Sequence, residues 1–332
     1  MVKTCLRYIA VLALICAAFL SSAQITTKSH RMDRELHISY DNDLFFATDQ
    51  YYTSGANFTY ARILDKGTKL YHRFKSKRSD TLKVIGRIQY GHKIFTPSKI
   101  KKRRVNDFDR PYAGWHYLKF HIQNHPGVNS ANLYKLTLGV VGDRSGIGNF
   151  QEWWHDKFGF PQPRGWKYQI RNEFIVNFDY NRMMYWSPVK NIGFLSDTGV
   201  KVGNGITGAT QHLQIRYGKS GRLFNSGAAR SRISKHIPVV GNNDPEEEEG
   251  YFFYGFEGQY VLSNIFIEGT ILGDQRESPH VEELETFVIV RKYGFTYTNY
   301  YTTFSFTVYK MTPENKGAKT HRYISLNLAF RF

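Results

Sequence analysis

Four residues carry the side-chain types that a hydrolytic site needs: Asn42, Asp43, Thr53 and His155. A neutral His takes a proton from water near pH 7. Asn and Asp oxygens suit a hard cation such as calcium, which polarises an ester carbonyl and stabilises the oxyanion. Together with a hydroxyl, these types describe ester hydrolysis by metal-stabilised attack of water. The types alone do not decide it. Asn42, Asp43 and Thr53 lie in the stretch Asp41 to Gly55, DNDLFFATDQYYTSG, whose Asp, Asn, Ser and Gly are also ordinary turn residues. His155 lies far downstream, so the elements between must bring it to the others.

Those elements read as strands. Glu35 to Tyr40 alternates in polarity and runs into Asp41-Asn42-Asp43, and a second alternating segment opens at Tyr52 to Gly55. This places the oxygen ligands at the rim of a strand-loop-strand unit. Candidate strands recur at 35–41, 53–63, 82–93, 112–123, 131–141, 167–180, 192–202, 207–217, 251–262, 264–272, 284–297, 300–309 and 322–332. A barrel with both termini in the periplasm needs an even number. The segment 192–202, diluted by Gly193, Asp197 and Gly199, is the weakest, and twelve strands are expected.

The ends of the chain set the context. Lys3 and Arg7, the apolar run Tyr8 to Leu20 and the small residues Ser21-Ser22-Ala23 read as a secretory signal peptide over residues 1–23. Residues 24–332 then form one barrel domain. Cys5 and Cys16 both lie in the removed segment, so the exported chain has no thiol nucleophile, cysteine-bound metal or disulfide. No later run is long enough for a membrane helix, yet the chain has 23 Tyr and 25 Phe. Many aromatics without continuous apolar runs suit an all-β, transmembrane antiparallel barrel, whose lipid face takes every second residue. The ending YISLNLAFRF fits this, with Ile324, Leu326, Leu328, Phe330 and Phe332 on one face and Ser325, Asn327 and Arg331 on the other. The formal net charge of +17 then points to anionic lipid surfaces, because no helix-in-groove or base-stacking motif for nucleic acid is present.

The connection 142–166 is expected to hold a short helix in an extracellular loop. Asn149 reads as its N-cap, Phe150, Trp154 and Phe158 recur on one face, and Gln151 and His155 share the adjoining face. Pro161 and Pro163 end it. No G-x-S-x-G elbow, H-E-x-x-H helix, P-loop or dinucleotide fingerprint occurs. The acidic run Glu246 to Glu249 lacks the ligand spacing of a calcium loop and reads as solvated.

The chain also resembles the lipid A 3′-O-deacylase (LpxR-type) family of outer-membrane barrels. The resemblance rests on Asn42 to Phe46, Thr48 to Gly55, Asp109-Arg110-Pro111-Tyr112-Ala113-Gly114, Leu138 to Gly142, Gln151, His155, Gly165-Trp166, Gln169-Ile170 and the final strand. It implies a twelve-stranded barrel that removes the 3′ acyloxyacyl group from lipid A in the outer leaflet, with calcium as cofactor. By position, His155 would activate water, Asn42 and Asp43 would serve calcium and the oxyanion, and Thr53 would take the family's hydroxyl position. The chain departs from the family at Pro161, where simple count places a glutamate. Lys101, Lys102, Arg103 and Arg104, in an extracellular connection, suit either pairing with lipid A phosphates or sugar-acid carboxylates or a general attraction to an anionic outer leaflet. The expectation is a monomeric lipid A esterase. The alternatives are an outer-membrane phospholipase and a non-enzymatic barrel, a porin or structural protein.

Strand parity adds one local expectation. Tyr40 and Asn42 share the outward face, whereas Thr53 falls on the opposite parity from Phe58 and Tyr60 and needs a bulge or strand end to re-aim it.

Overall fold

The computed structural model describes residues 32–75, 83–227, 231–233, 248–270 and 278–332, so the signal peptide lies outside the described residues. Twelve strands close into an antiparallel barrel: β1 (Arg34–Asn42), β2 (Tyr51–Ile63), β3 (Val84–Thr96), β4 (Ala113–Gly127), β5 (Ser130–Val141), β6 (Glu173–Val189), β7 (Ile192–Gly203), β8 (Ile206–Lys219), β9 (Glu249–Asn264), β10 (Phe287–Thr298), β11 (Thr302–Met311) and β12 (His321–Arg331). Each strand pairs with its neighbours in sequence, and β1 with β12 closes the ring.

Alternation sorts the side chains. Outward positions such as Leu36, Phe58, Tyr90, Phe120, Leu136 and Phe178 are exposed and apolar, as a lipid-facing wall requires. Inward positions divide into two zones. Towards the end that carries the 43–50 turn, Tyr52, Phe95, Trp115, Tyr117 and Phe266 pack into one apolar cluster inside the lumen. The other half is polar, with Glu35, Arg87, Gln89, His121, Asp197 and Arg331 around a chamber of about 530 Å³.

The strand count agrees with the expectation, but its composition does not. Residues 192–202 belong to a full strand, β7. Its Gly193, Asp197 and Gly199 all face the lumen, where lipid imposes no apolar requirement. The missing side chain at Gly193 leaves room for the Tyr185 ring, and Asp197 accepts a hydrogen bond from Asn181 Nδ2 at 2.8 Å. The surplus candidate was 264–272. There Asn264 accepts from the Phe266 N–H and caps a helical turn, and Gly269, at φ +80°, closes it. Ile265, Phe266 and Ile267 are all buried, so the run fills the barrel mouth instead of alternating.

Among the described residues there are three α-helical segments, α1 (Lys69–Phe74), α2 (Ile147–Phe158) and α3, the turn just described (Ile265–Glu268), beside short 3-10 turns. The helix α2 starts earlier than expected. Gly146, at φ +68°, is its N-cap, and Asn149 lies in the first turn. The buried Ile147 packs with Ile94, Phe108, Tyr112 and Trp166 and carries the start of the helix down onto the barrel. Gly159 ends α2, before Pro161 and Pro163. Of the acidic run, Glu246 and Glu247 lie outside the described residues. Glu248 is exposed, but Glu249 is buried and accepts from the Gly221 and Gly227 N–H groups.

Candidate active site

The tip joining β1 to β2 turns sharply after Asn42. The Asn42 side-chain oxygen accepts from the Leu44 N–H at 2.7 Å, while its Nδ2 donates to the Tyr40 hydroxyl at 3.0 Å. Asp43 is buried, and its Oδ2 accepts from the Gln50 N–H and the Thr48 hydroxyl, each at 2.9 Å. The chain then passes through two non-glycine residues at positive φ, Ala47 (55°) and Tyr51 (61°). Such a backbone persists only where its surroundings hold it. At Tyr51 the hydroxyl donates to Asp109 and accepts from the Lys319 N–H, both at 2.9 Å.

Thr53 follows at a break in register between β2 and β3, where Tyr52 pairs with Phe95 and Ser54 with Ile94. The extra residue is the bulge that parity demanded. Its hydroxyl lies 2.7 Å from the Thr96 hydroxyl and also hydrogen-bonds the Asp49 carboxylate.

The remaining wall is α2. Gln151 and His155 are buried on its inner face. His155 Nδ1 lies 2.6 Å from the Pro161 carbonyl oxygen, and Nε2 lies 3.5 Å from Asp49 Oδ2. Gln151 Nε2 donates to Asp49 Oδ1 at 3.4 Å, and its Oε1 accepts from Trp166 Nε1 at 2.9 Å. Burial first, and then the Asp49 charge, push the Asp43 carboxyl well above the usual carboxylate range. Burial pushes Asp49 up to about 6, against the opposing pulls of His155 and Thr53.

Between tip and helix lies a cavity of about 630 Å³ lined by Asn42, Asp43, Asp49, Thr53, Gln151 and His155. Its other strand residues, Tyr40, Ser54, Ala56, His92 and Ile94, all have outward parity. The site therefore lies on the lipid side of the barrel wall. Phe150 and Trp154 roof it from α2.

The family described as "Outer membrane protein LpxR" matches residues 9–332. The chain belongs to the LpxR family. With the closed barrel, this places it in the bacterial outer membrane. Among solved structures it is similar to LpxR from Salmonella typhimurium, with a TM-score of 0.68 and 19% identity over 90% of this chain and 100% of that one. Looser likenesses are to the β domain of the Bordetella autotransporter BrkA (TM-score 0.44, 7% identity, 91% and 99% coverage) and to the KdgM porin (0.37, 5%, 90% and 99%). No curated protein sequence matches the chain.

All four residues singled out for chemistry in this LpxR-family chain line one cavity. Lys101 and Lys102 border the same cavity, while Arg103 and Arg104, equally exposed, do not line it. At Pro161, where the family count places a glutamate, a backbone carbonyl receives the His155 ring. Asp49 falls within the Thr48 to Gly55 motif, but nothing in the sequence distinguishes it from the other acids of the tip. The segment Asp109 to Tyr112 braces the rim. Asp109 accepts from Tyr51 and Ser98, Arg110 pairs with Glu314, and the Tyr112 hydroxyl donates to the Ile100 carbonyl.

Proposed function

We propose that this chain is a monomeric outer-membrane esterase that hydrolyses the 3′-linked acyloxyacyl ester of lipid A, with His155 activating water and calcium as cofactor. The observation that carries the reading is the side of the wall on which the base sits. A buried histidine and convergent oxygen donors share a cavity built from outward-parity residues, where a lipid reaches them without leaving the leaflet.

The donor set fits an oxygen-ligated cation. Asp43 and Asp49 are neighbouring carboxyls whose charges oppose each other in a largely buried setting, and the Asn42 amide oxygen and Thr53 hydroxyl line the same cavity. Asn42 and Asp43 would hold the ion. Among the described residues no three His, Cys, Asp or Glu side chains cluster as a metal site; an ion held by Asn42 and Asp43 would take its remaining ligands from water and substrate oxygens. When bound, calcium supplies polarisation of the ester carbonyl and stabilisation of the oxyanion.

In the reaction, His155 Nε2 takes one proton from water as the water oxygen bonds to the carbonyl carbon. Collapse of the tetrahedral adduct breaks the bond to the sugar 3′ oxygen, which receives the proton from Nε2. The products are the free acyloxyacyl acid and a 3′ hydroxyl. Lys101 and Lys102 at the cavity mouth supply the charge for the phosphates or acidic sugars of the substrate, with Arg103 and Arg104 adding attraction at longer range.

The test is mass spectrometry of lipid A from cells expressing the wild type or His155→Ala, with calcium supplied or chelated. Loss of the 3′ chains only with wild type and calcium is expected. Unchanged lipid A under every condition, or release of fatty acid from phospholipid vesicles instead, would overturn the reading.

A further inference from the structure

His155 is held at Nδ1 by a group that can only accept. The Pro161 carbonyl oxygen lies 2.6 Å away, so Nδ1 carries the hydrogen of the neutral ring and Nε2 carries the lone pair. That lone pair faces Asp49 Oδ2 at 3.5 Å. Two acceptors facing each other in a largely buried setting repel unless a proton lies between them. Asp49 is therefore placed to stabilise the imidazolium that forms as His155 takes a proton from water. The 3.5 Å gap also exceeds ordinary hydrogen-bond length, so Nε2 has no bond to break before it does so.

Asp49 is itself firmly placed. Gln151 Nε2 donates to its Oδ1, Trp166 fixes Gln151, Thr53 hydrogen-bonds the carboxylate, and the Thr96 hydroxyl donates to its backbone carbonyl at 3.4 Å. The other charged groups lining the cavity are Asp43 on the same tip and Lys99, Lys101 and Lys102 across the mouth. Among the described residues, Asp49 is the acid at ion-pair distance from the His155 ring.

We infer that Asp49 is the positioning residue of this site, acting through His155 by facing Nε2 and stabilising the imidazolium formed during water attack. This rests on the esterase reading above, and it supplies a role that Asn42, Asp43 and Thr53 do not fill. Asp49 and Pro161 together hold the ring by its two nitrogens, one from the β1–β2 tip and one from the exit of α2.

The experiment is steady-state hydrolysis of purified lipid A by the detergent-solubilised full chain, at several calcium concentrations. Asp49→Asn keeps the size of the side chain and an acceptor for Gln151 but removes the charge. It should lower kcat about 100-fold or more and change KM by less than about threefold, and Asp49→Glu should recover part of kcat. Circular dichroism and heat-dependent gel mobility matching wild type establish folding, and Asp49→Ser serves if the Asn variant does not fold. A folded neutral variant with wild-type kcat overturns the inference, as does one whose lost rate returns with added calcium, which would make Asp49 a cation ligand. Failure of the wild type to release acid from lipid A is a different result. It removes the esterase reading and this inference with it.

Discussion

Replacing His155 with alanine removes the base while leaving its two partners, the Pro161 carbonyl and Asp49, in place. The rate should fall roughly 10²- to 10⁴-fold, and the barrel should melt as wild type, because His155 contacts only the rim elements. Release of acid from lipid A by the purified variant measures the first, and thermal unfolding in detergent the second. Asp49 gives a pH signature of its own. Its folded value of about 6 stands above its ordinary 3.8, so the folded state binds that proton more tightly than the unfolded chain. The resulting stabilisation is fully present below about pH 4 and is lost as pH rises through about 6, amounting to at most about 3 kcal/mol. With calcium chelated, thermal stability should therefore decline between about pH 4 and 6 and level off above that. Asp49→Asn should flatten that decline, and a slope unchanged by the substitution would contradict it. At this scale the sequence was half legible. Asn42, Asp43, Thr53 and His155 could be named from chemistry and motif, and they do meet. Asp49 and the Pro161 carbonyl could not, since one is an acid among acids and the other is backbone.

Elements decide whether those residues meet. The bulge at Thr53 was legible because period-two alternation is strict: a hydroxyl with the wrong parity must be turned by an irregularity. The faces of α2 were legible for the same kind of reason. Its start was not, because Gly146 and the buried Ile147 set it through tertiary packing where Asn149 offered a local cap. The same packing yields a prediction. Trp166 is buried against Ile147 and Tyr112 and donates to Gln151, so it couples α2 to the rim. Trp166→Ala removes a large buried ring, a change that costs about 3–5 kcal/mol in a packed core. Here the cost falls on the loop and not on the barrel ladder. Limited proteolysis should cut the variant within 142–172 at protease levels that leave wild type intact, and lipid A hydrolysis should drop while the barrel still melts as wild type. Equal protease resistance would show that α2 is held by other contacts.

The whole molecule raises a question that the strand pattern leaves open, whether the barrel is a pore. Twelve strands were countable because lipid and lumen impose opposite demands on alternate residues, yet two segments exchanged roles. Glycines and an aspartate obscured β7 because they face the lumen, and the apolar run of α3 resembled a strand because it fills the lumen. The packing of α3 inside the lumen bears directly on conduction. Phe266 stacks on Phe95 with ring centroids 5.0 Å apart and meets Trp115 at the same separation, and Tyr52 packs on Phe95 at 5.5 Å. These rings come from α3 and from three strands, and they occupy the half of the lumen next to the site. The polar chamber below is bordered towards the opposite end by residues 223–227 and 231–233, where Phe224 is buried against His125 and Ile233 O accepts from Lys83 Nζ at 2.7 Å. A dry aromatic layer across a narrow barrel is a high barrier to hydrated ions. Purified protein in a planar bilayer should accordingly show no steady conductance. Phe266→Ala should admit at most brief openings, because the rings of Phe95, Trp115 and Tyr52 remain. Stable, ohmic channels from the wild type would show that α3 does not close the mouth, and would shift the reading towards a porin. A silent barrel that hydrolyses lipid A would instead assign the lumen to rigidity and the chemistry to the outer wall.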